Sequence, residues 1–142
     1  MKKFLHFKIA IGLFICLILF TGCNGRANRI PAGTYVVESI EVDGTNVTEG
    51  WFYDAYLNST ITIAGKTFSL SSSGGIASIN ISVPYSLDGD VIKLLGQDTS
   101  MRFINNRIVE TMEYSFELGD GVTYKGDMPV GTHKITRTYV IT

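Results

Sequence analysis

Cysteine is almost missing from this sequence. Of its 142 residues only two are Cys, and Cys16 and Cys23 both lie in or at the end of one N-terminal apolar run. The body of the chain therefore has no disulfide framework, no thiol nucleophile and no thiolate-based zinc or iron–sulfur site. Histidine is nearly as scarce. His6 precedes the apolar run, which leaves His133 alone in the remainder. One imidazole without a thiol falls short of the several N or S ligands that a transition metal needs. Lys134 beside it also disfavours a cation, so His133 is expected at the surface. Asp88 and Asp90 belong to a turn, where Asp and Gly serve conformation, and no EF-hand pattern surrounds them. Gly-x-Ser-x-Gly and Ser-x-x-Lys arrangements are absent. The run Ser71 to Gly75 lacks the Gly-Lys-Ser/Thr of a phosphate-binding loop. No metal, no cofactor and no catalytic residue is expected, and an enzyme is not the expected class.

A basic surplus is missing too. Of twelve Lys and Arg, three (Lys2, Lys3 and Lys8) precede residue 23, together with none of the thirteen Asp and Glu, so the rest of the chain carries a formal charge of −4. Such a domain is a poor partner for nucleic acid and has no electrostatic hold on anionic lipid.

What is present begins with those three lysines and the run Ile9 to Phe20. A basic start, a short apolar core and small residues at its exit describe a secretory signal peptide. The core is too short for a membrane-spanning helix, which needs about 20 residues. It ends on Leu19-Phe20-Thr21-Gly22-Cys23, which resembles the lipobox of bacterial lipoproteins, with Phe20 where that family most often has Leu. The resemblance implies that Cys23 receives a diacylglyceryl group with palmitate-type acyl chains and becomes the first residue of the mature protein. Two or more acyl chains hold a protein firmly to a bilayer. The expected organisation is a signal peptide over 1–22, a lipidated Cys and tether over 23–32 and one domain over 33–142. The expected location is extracytoplasmic, at the cell membrane or outer membrane, with the membrane as partner through Cys23.

The domain reads as all-β. Short alternating runs are separated by turn dipeptides: Thr34 to Val42 before Asp43-Gly44, Ser59 to Ile63 and Lys66 to Leu70 around Ala64-Gly65, and Ile79 to Tyr85 before Leu87 to Asp90. Val91 to Leu95, Met101 to Ile104 and a long strand from Arg107, with the turn Asn105-Asn106, continue the pattern. Gly119 to Gly121 makes a further turn, Val122 to Lys125 a short strand, and Lys134 to Ile141 closes the chain. Ser71 to Gly75 reads as a flexible loop. An antiparallel up-and-down meander of about eight strands, closed into a barrel, is the first expectation; a β-sandwich is the alternative. A small barrel is expected to be monomeric.

Gly33-Thr34-Tyr35 resembles the Gly-x-Trp that opens the first strand of lipocalin-like barrels, with Tyr in place of Trp. The hairpins Ile61 to Phe68 and Tyr85 to Leu94 are similar to those of small bacterial lipocalin-like lipoprotein domains. The resemblance implies that Arg137 on the last strand packs across the ring of Tyr35, which makes Gly33, Tyr35 and Arg137 the structural signature.

One segment breaks the alternation. In Gly50 to Leu57 the pairs Trp51 with Ala55, Phe52 with Tyr56 and Tyr53 with Leu57 have helical i,i+4 spacing. A short helix there reads as a hydrophobic plug at one end of the core, or as a ligand contact at a barrel mouth. Glu110 falls on the apolar face of Ile108, Met112, Tyr114, Phe116 and Leu118. A β-bulge near Val109 that turns it outward is the first reading, and a buried pair with Arg137 or Arg102 is the second.

These observations favour a lipid-anchored protein that binds a small apolar or amphipathic ligand, with Trp51, Phe52, Tyr56 and Arg137 as candidate contacts. The rival is an interaction or immunity protein with a filled core, which sequesters a cationic peptide or binds an envelope protein.

Overall fold

Two-residue turns between alternating runs bring five of the nine strands back against the one before. A computed structural model describes residues 29–73, 78–117 and 130–142. The signal run, Cys23, the Gly74-Gly75 pair, Leu118, the turn Gly119 to Gly121 and the expected strand at Val122 to Lys125 lie outside these residues. The elements are β1 (Gly33–Val42), β2 (Thr45–Val47), α1 (Trp51–Tyr56), β3 (Ser59–Ala64), β4 (Thr67–Ser72), β5 (Ile79–Asp88), β6 (Val91–Leu94), β7 (Gln97–Ile104), β8 (Arg107–Phe116) and β9 (Gly131–Ile141). From β3 to β9 each strand pairs antiparallel with the next, and β9 closes on β1 from Tyr35↔Ile141 to Val42↔Ile135. The result is a closed antiparallel barrel of eight strands, lipocalin-like in form, with β2 as one extra strand. A sandwich is ruled out because the strands form a single closed sheet.

The other edge of β1 is divided. Gly33 to Val36 pair with β3, and Ile40 to Val42 pair with β2. Asp43 (φ 52°) with Gly44 (φ 82°), and Asn105 (φ 51°) with Asn106 (φ 60°), put both central residues in the left-handed region. That conformation matches the twist of the flanking strands. Gly33 serves a different need: its φ of 154° is a conformation L side chains rarely adopt, and a Cβ there would press on the tip of the Ile141 side chain, 2.6 Å from Cδ1.

The bulge expected near Val109 is absent. Pairing of β8 with both neighbours runs in regular register through Met101↔Glu110 and Glu110↔Arg137. Glu110 keeps its inward parity because Arg137 stands directly opposite and satisfies it. Of the register shifts, one lies in the β6–β7 pairing, between Val91 and Lys93, and the other in β1, between Val37 and Ser39. The shift in β1 moves the inward positions from Tyr35 and Val37 to Ile40 and Val42. The extra residue, Glu38, points outward, where Arg107 donates to it through Nε at 2.8 Å and Nη2 at 3.2 Å.

Side chains fill the interior in two groups. At one end Tyr35, Ile61, Ile63, Phe68, Tyr85, Ile92, Met101, Ile108 and Tyr139 surround Ile30. This end is closed. Tyr85 Oη accepts from the Ile30 backbone N–H at 3.2 Å, and Tyr35 Oη donates to the Pro31 carbonyl at 3.0 Å. Ile30, expected in the tether, is 1 % exposed, so the packed domain begins before residue 33. Burial of a side chain of this size contributes about 1.5–3 kcal/mol. At the opposite end, the rim, Ile40, Phe52 and Ile135 pack with Val42, Val47, Trp51, Tyr56, Met112 and Tyr114, and Val37 touches both groups.

Candidate functional site

The rim is built from the β1–β2 turn, α1 and the start of β9. Gly50 (φ 93°) turns the chain into α1, and the Asp54 N–H donates to the Gly50 carbonyl at 3.0 Å. The helix has a buried side, Phe52 and Ala55. The expected Phe52–Tyr56 pair forms as a stack with 6.4 Å between centroids. Tyr114 lies against both Trp51 and Phe52, at 5.1 and 5.3 Å. Thus α1 packs Phe52 and Ala55 into the rim.

Beside the plug lies a recess of about 280 Å³, lined by Val42, Asp43, Val47, Glu49, Gly50, Trp51, Phe52 and His133. His133, expected at the surface, is half-buried: its side chain is 23 % exposed. It shares the inward parity of Ile135, Arg137 and Tyr139, so the barrel wall turns it toward the rim. Its Nδ1 is 2.9 Å from Asp43 Oδ2, and its ring meets Phe52 edge-on at 5.3 Å. Asp43 Oδ1 accepts from the Lys134 N–H at 2.9 Å. The hydrogen bond with His133, followed by that from the Lys134 backbone, holds the Asp43 carboxyl below its ordinary range. The same contact raises His133 above its ordinary 6.5. Glu49 is exposed and has no hydrogen-bond or ion-pair partner among the described residues.

A second polar cluster lies deeper, between the plug and the closed end. Arg137 is 5 % exposed. Its Nε and Nη2 donate to Glu110 Oε2 at 3.0 and 2.5 Å, and its Nη1 donates to Ser59 Oγ at 2.8 Å. Ser59 Oγ is in turn 2.8 Å from Ser72 Oγ, so Ser72 belongs to a strand and not to the flexible loop expected at Ser71 to Gly75. The guanidinium carbon lies 5.1 Å from the Tyr56 ring centre and 5.6 Å from that of Tyr139. It does not pack on Tyr35, as the family signature implies. Register pairs Arg137 with Ile40 and Tyr35 with Ile141, so the two stand at different levels of the barrel. The Tyr139 and Tyr114 hydroxyls are buried without a hydrogen-bond partner among the described residues. Burial pushes Tyr139 upward, with Arg137 opposing; burial likewise raises Tyr56 against Arg137.

Of the four candidate contacts, Trp51 and Phe52 line the recess. Tyr56 and Arg137 stack on one another below it, joined to the recess by the Trp51–Tyr56 contact at 6.3 Å. Arg137 is already committed to Glu110 and Ser59, so a ligand carboxylate entering here would have to displace a buried ion pair. Sequence reasoning missed Val42, Asp43, Val47, Glu49 and His133 as neighbours. The Asp43-Gly44 turn was the available signal, because it folds Val47 back opposite Ile40. Among the described residues no group of three His, Asp or Glu side chains is placed to hold a metal ion. Comparison with protein-family models, curated proteins and solved structures gives no match.

Proposed function

We propose that this chain is a non-enzymatic extracytoplasmic lipoprotein, anchored through acyl chains on Cys23, whose packed barrel is a scaffold for binding at its rim. The ligand is a small amphipathic molecule seated against Trp51 and Phe52. The observation that carries this reading is the contrast between the two ends. Tyr35, Phe68 and Tyr139 fill the barrel axis, while the recess of about 280 Å³ at the rim combines an apolar wall with polar groups. That volume is near the lower bound of small-molecule sites, about 300 Å³. Ile30 and Pro31, the nearest described contacts to the expected anchor, lie at the closed end, opposite the recess. The packed interior also favours a second reading, in which the rim holds one side chain of a sequestered peptide.

Native mass spectrometry of the whole chain, with organic extraction of the same sample, tests the proposal. The expected result is a mass increment for a small amphipathic compound, lost in Trp51→Ala while folding is retained. Equal loss of binding and folding in that variant would reassign Trp51 to the core and overturn the rim reading. Labelling cells with an alkyne fatty acid tests the anchor: the chain should be labelled, and Cys23→Ala should abolish the label.

A further inference from the structure

The chemistry of the recess is not neutral. Two carboxylates, Asp43 and Glu49, share it with one imidazole, His133. Both oxygens of Asp43 are engaged, by His133 and by the Lys134 N–H. Glu49 has no partner among the described residues. Even with His133 protonated, the two carboxylates leave the lining one negative charge in excess. The remaining wall is apolar and aromatic: Val42, Val47, Trp51 and Phe52. An indole beside a free carboxylate attracts a cation twice, through the quadrupole of its π face and through the ion pair. The apolar wall adds a preference for a methylene stem. A carboxylate ligand meets like charge here, and the buried cation nearby among the described residues, Arg137, is already paired with Glu110.

We infer that the rim recess recognises a primary ammonium group on a short alkyl stem, with Glu49 as its counter-ion and Trp51 as its apolar and π-face contact. This rests on the rim reading above and names the class of ligand for that site. The same chemistry comes from a free alkylamine or from a lysine side chain of a peptide.

Trp51 is the single tryptophan of the chain, so its emission reports the site directly. The test titrates the whole chain, held in phosphatidylcholine nanodiscs, with pentylamine, pentanol, pentanoate and the capped tripeptide Gly-Lys-Gly. Pentylamine should bind at least tenfold more tightly than pentanol, and pentanoate more weakly than either. Glu49→Gln should bring pentylamine to within about threefold of pentanol and leave pentanol unchanged. Raising the salt should weaken the amine and spare the alcohol, because the pair is solvent-accessible and screened. Glu49 is exposed, so its substitution leaves the packed core untouched. Tighter binding of the tripeptide than of pentylamine assigns the ammonium to a peptide; the reverse order assigns it to a free amine. Equal binding of pentylamine, pentanol and pentanoate would overturn the cation inference while leaving the rim reading in place. No change in Trp51 emission with any of the four would overturn both.

Discussion

Arg137 and Glu110 show how one residue pair decides an interior. The side chains are 6 % and 13 % exposed, and each leaves water only because the other is there. Removing one partner of such a pair strands a buried charge. Arg137→Met should cost about 3–5 kcal/mol in urea unfolding, whereas Arg137→Met with Glu110→Leu should recover most of it. A double variant no more stable than the single one would show that the pair is not acting as a unit. His133 and Asp43 behave differently because water reaches them. The folded pKa of His133 is raised above 6.5, so its contribution is complete below that value and is lost as pH rises through the folded value. The folded pKa of Asp43 is lowered from 3.8, so its contribution is present above that value and is lost as pH falls through the folded value. The pair therefore stabilises most between these limits. His133→Ala should be less stable than the native chain near pH 5, with the gap narrowing as pH rises through the raised folded pKa. A gap independent of pH would mean that the contact with Phe52, and not the charge, sets the role of His133.

At the scale of elements, the turns were the most legible part of the sequence. Asp43-Gly44 and Asn105-Asn106 announce left-handed turn conformations by residue type, and the strands on either side follow. What alternation hides is equally specific. β2 is three residues long, too short to show a period, and it exists only because the turn folds it onto β1. The inward face of β1 changes parity between Val37 and Ile40, a shift visible in the order Tyr35, Val37, Ile40, Val42 once closure is known. The same alternation placed Glu110 inward and offered Arg137 or Arg102 as its partner, but could not choose between them or against a bulge; strand register is a tertiary property. The recess was hidden for the same reason, since it joins β1, β2, α1 and β9. One turn departs from the rule. Leu95 adopts φ 52° ahead of Gly96 and is 67 % exposed. A branched apolar side chain gains little there and disfavours that backbone. Leu95→Asn should raise stability by about 1 kcal/mol, read as a higher urea midpoint at unchanged slope. A fall in the midpoint would mean that Leu95 makes contacts outweighing the backbone cost.

The whole molecule is a barrel with two unlike ends. One end is sealed by the chain that enters it, through Ile30 and the hydroxyls of Tyr35 and Tyr85. The other is plugged by a short helix and carries the recess. The seal is a packing device, so Ile30→Ala should cost about 2–5 kcal/mol while leaving amine affinity at the recess unchanged. A parallel loss of binding would show that the two ends are coupled through the core. The division of labour has a physical basis. A solid interior fixes the positions of Val42, Trp51 and His133 relative to one another, and the rim can then present charge to solvent without destabilising the core. The measurement that tests this most directly is a map of backbone amide chemical shifts as pentylamine is added to the chain. The account predicts changes confined to the segments around Val42 to Phe52 and Gly131 to Lys134, with Tyr35, Phe68, Ile92 and Ile108 unmoved. Changes centred on those four residues would place the ligand inside the barrel and contradict the account.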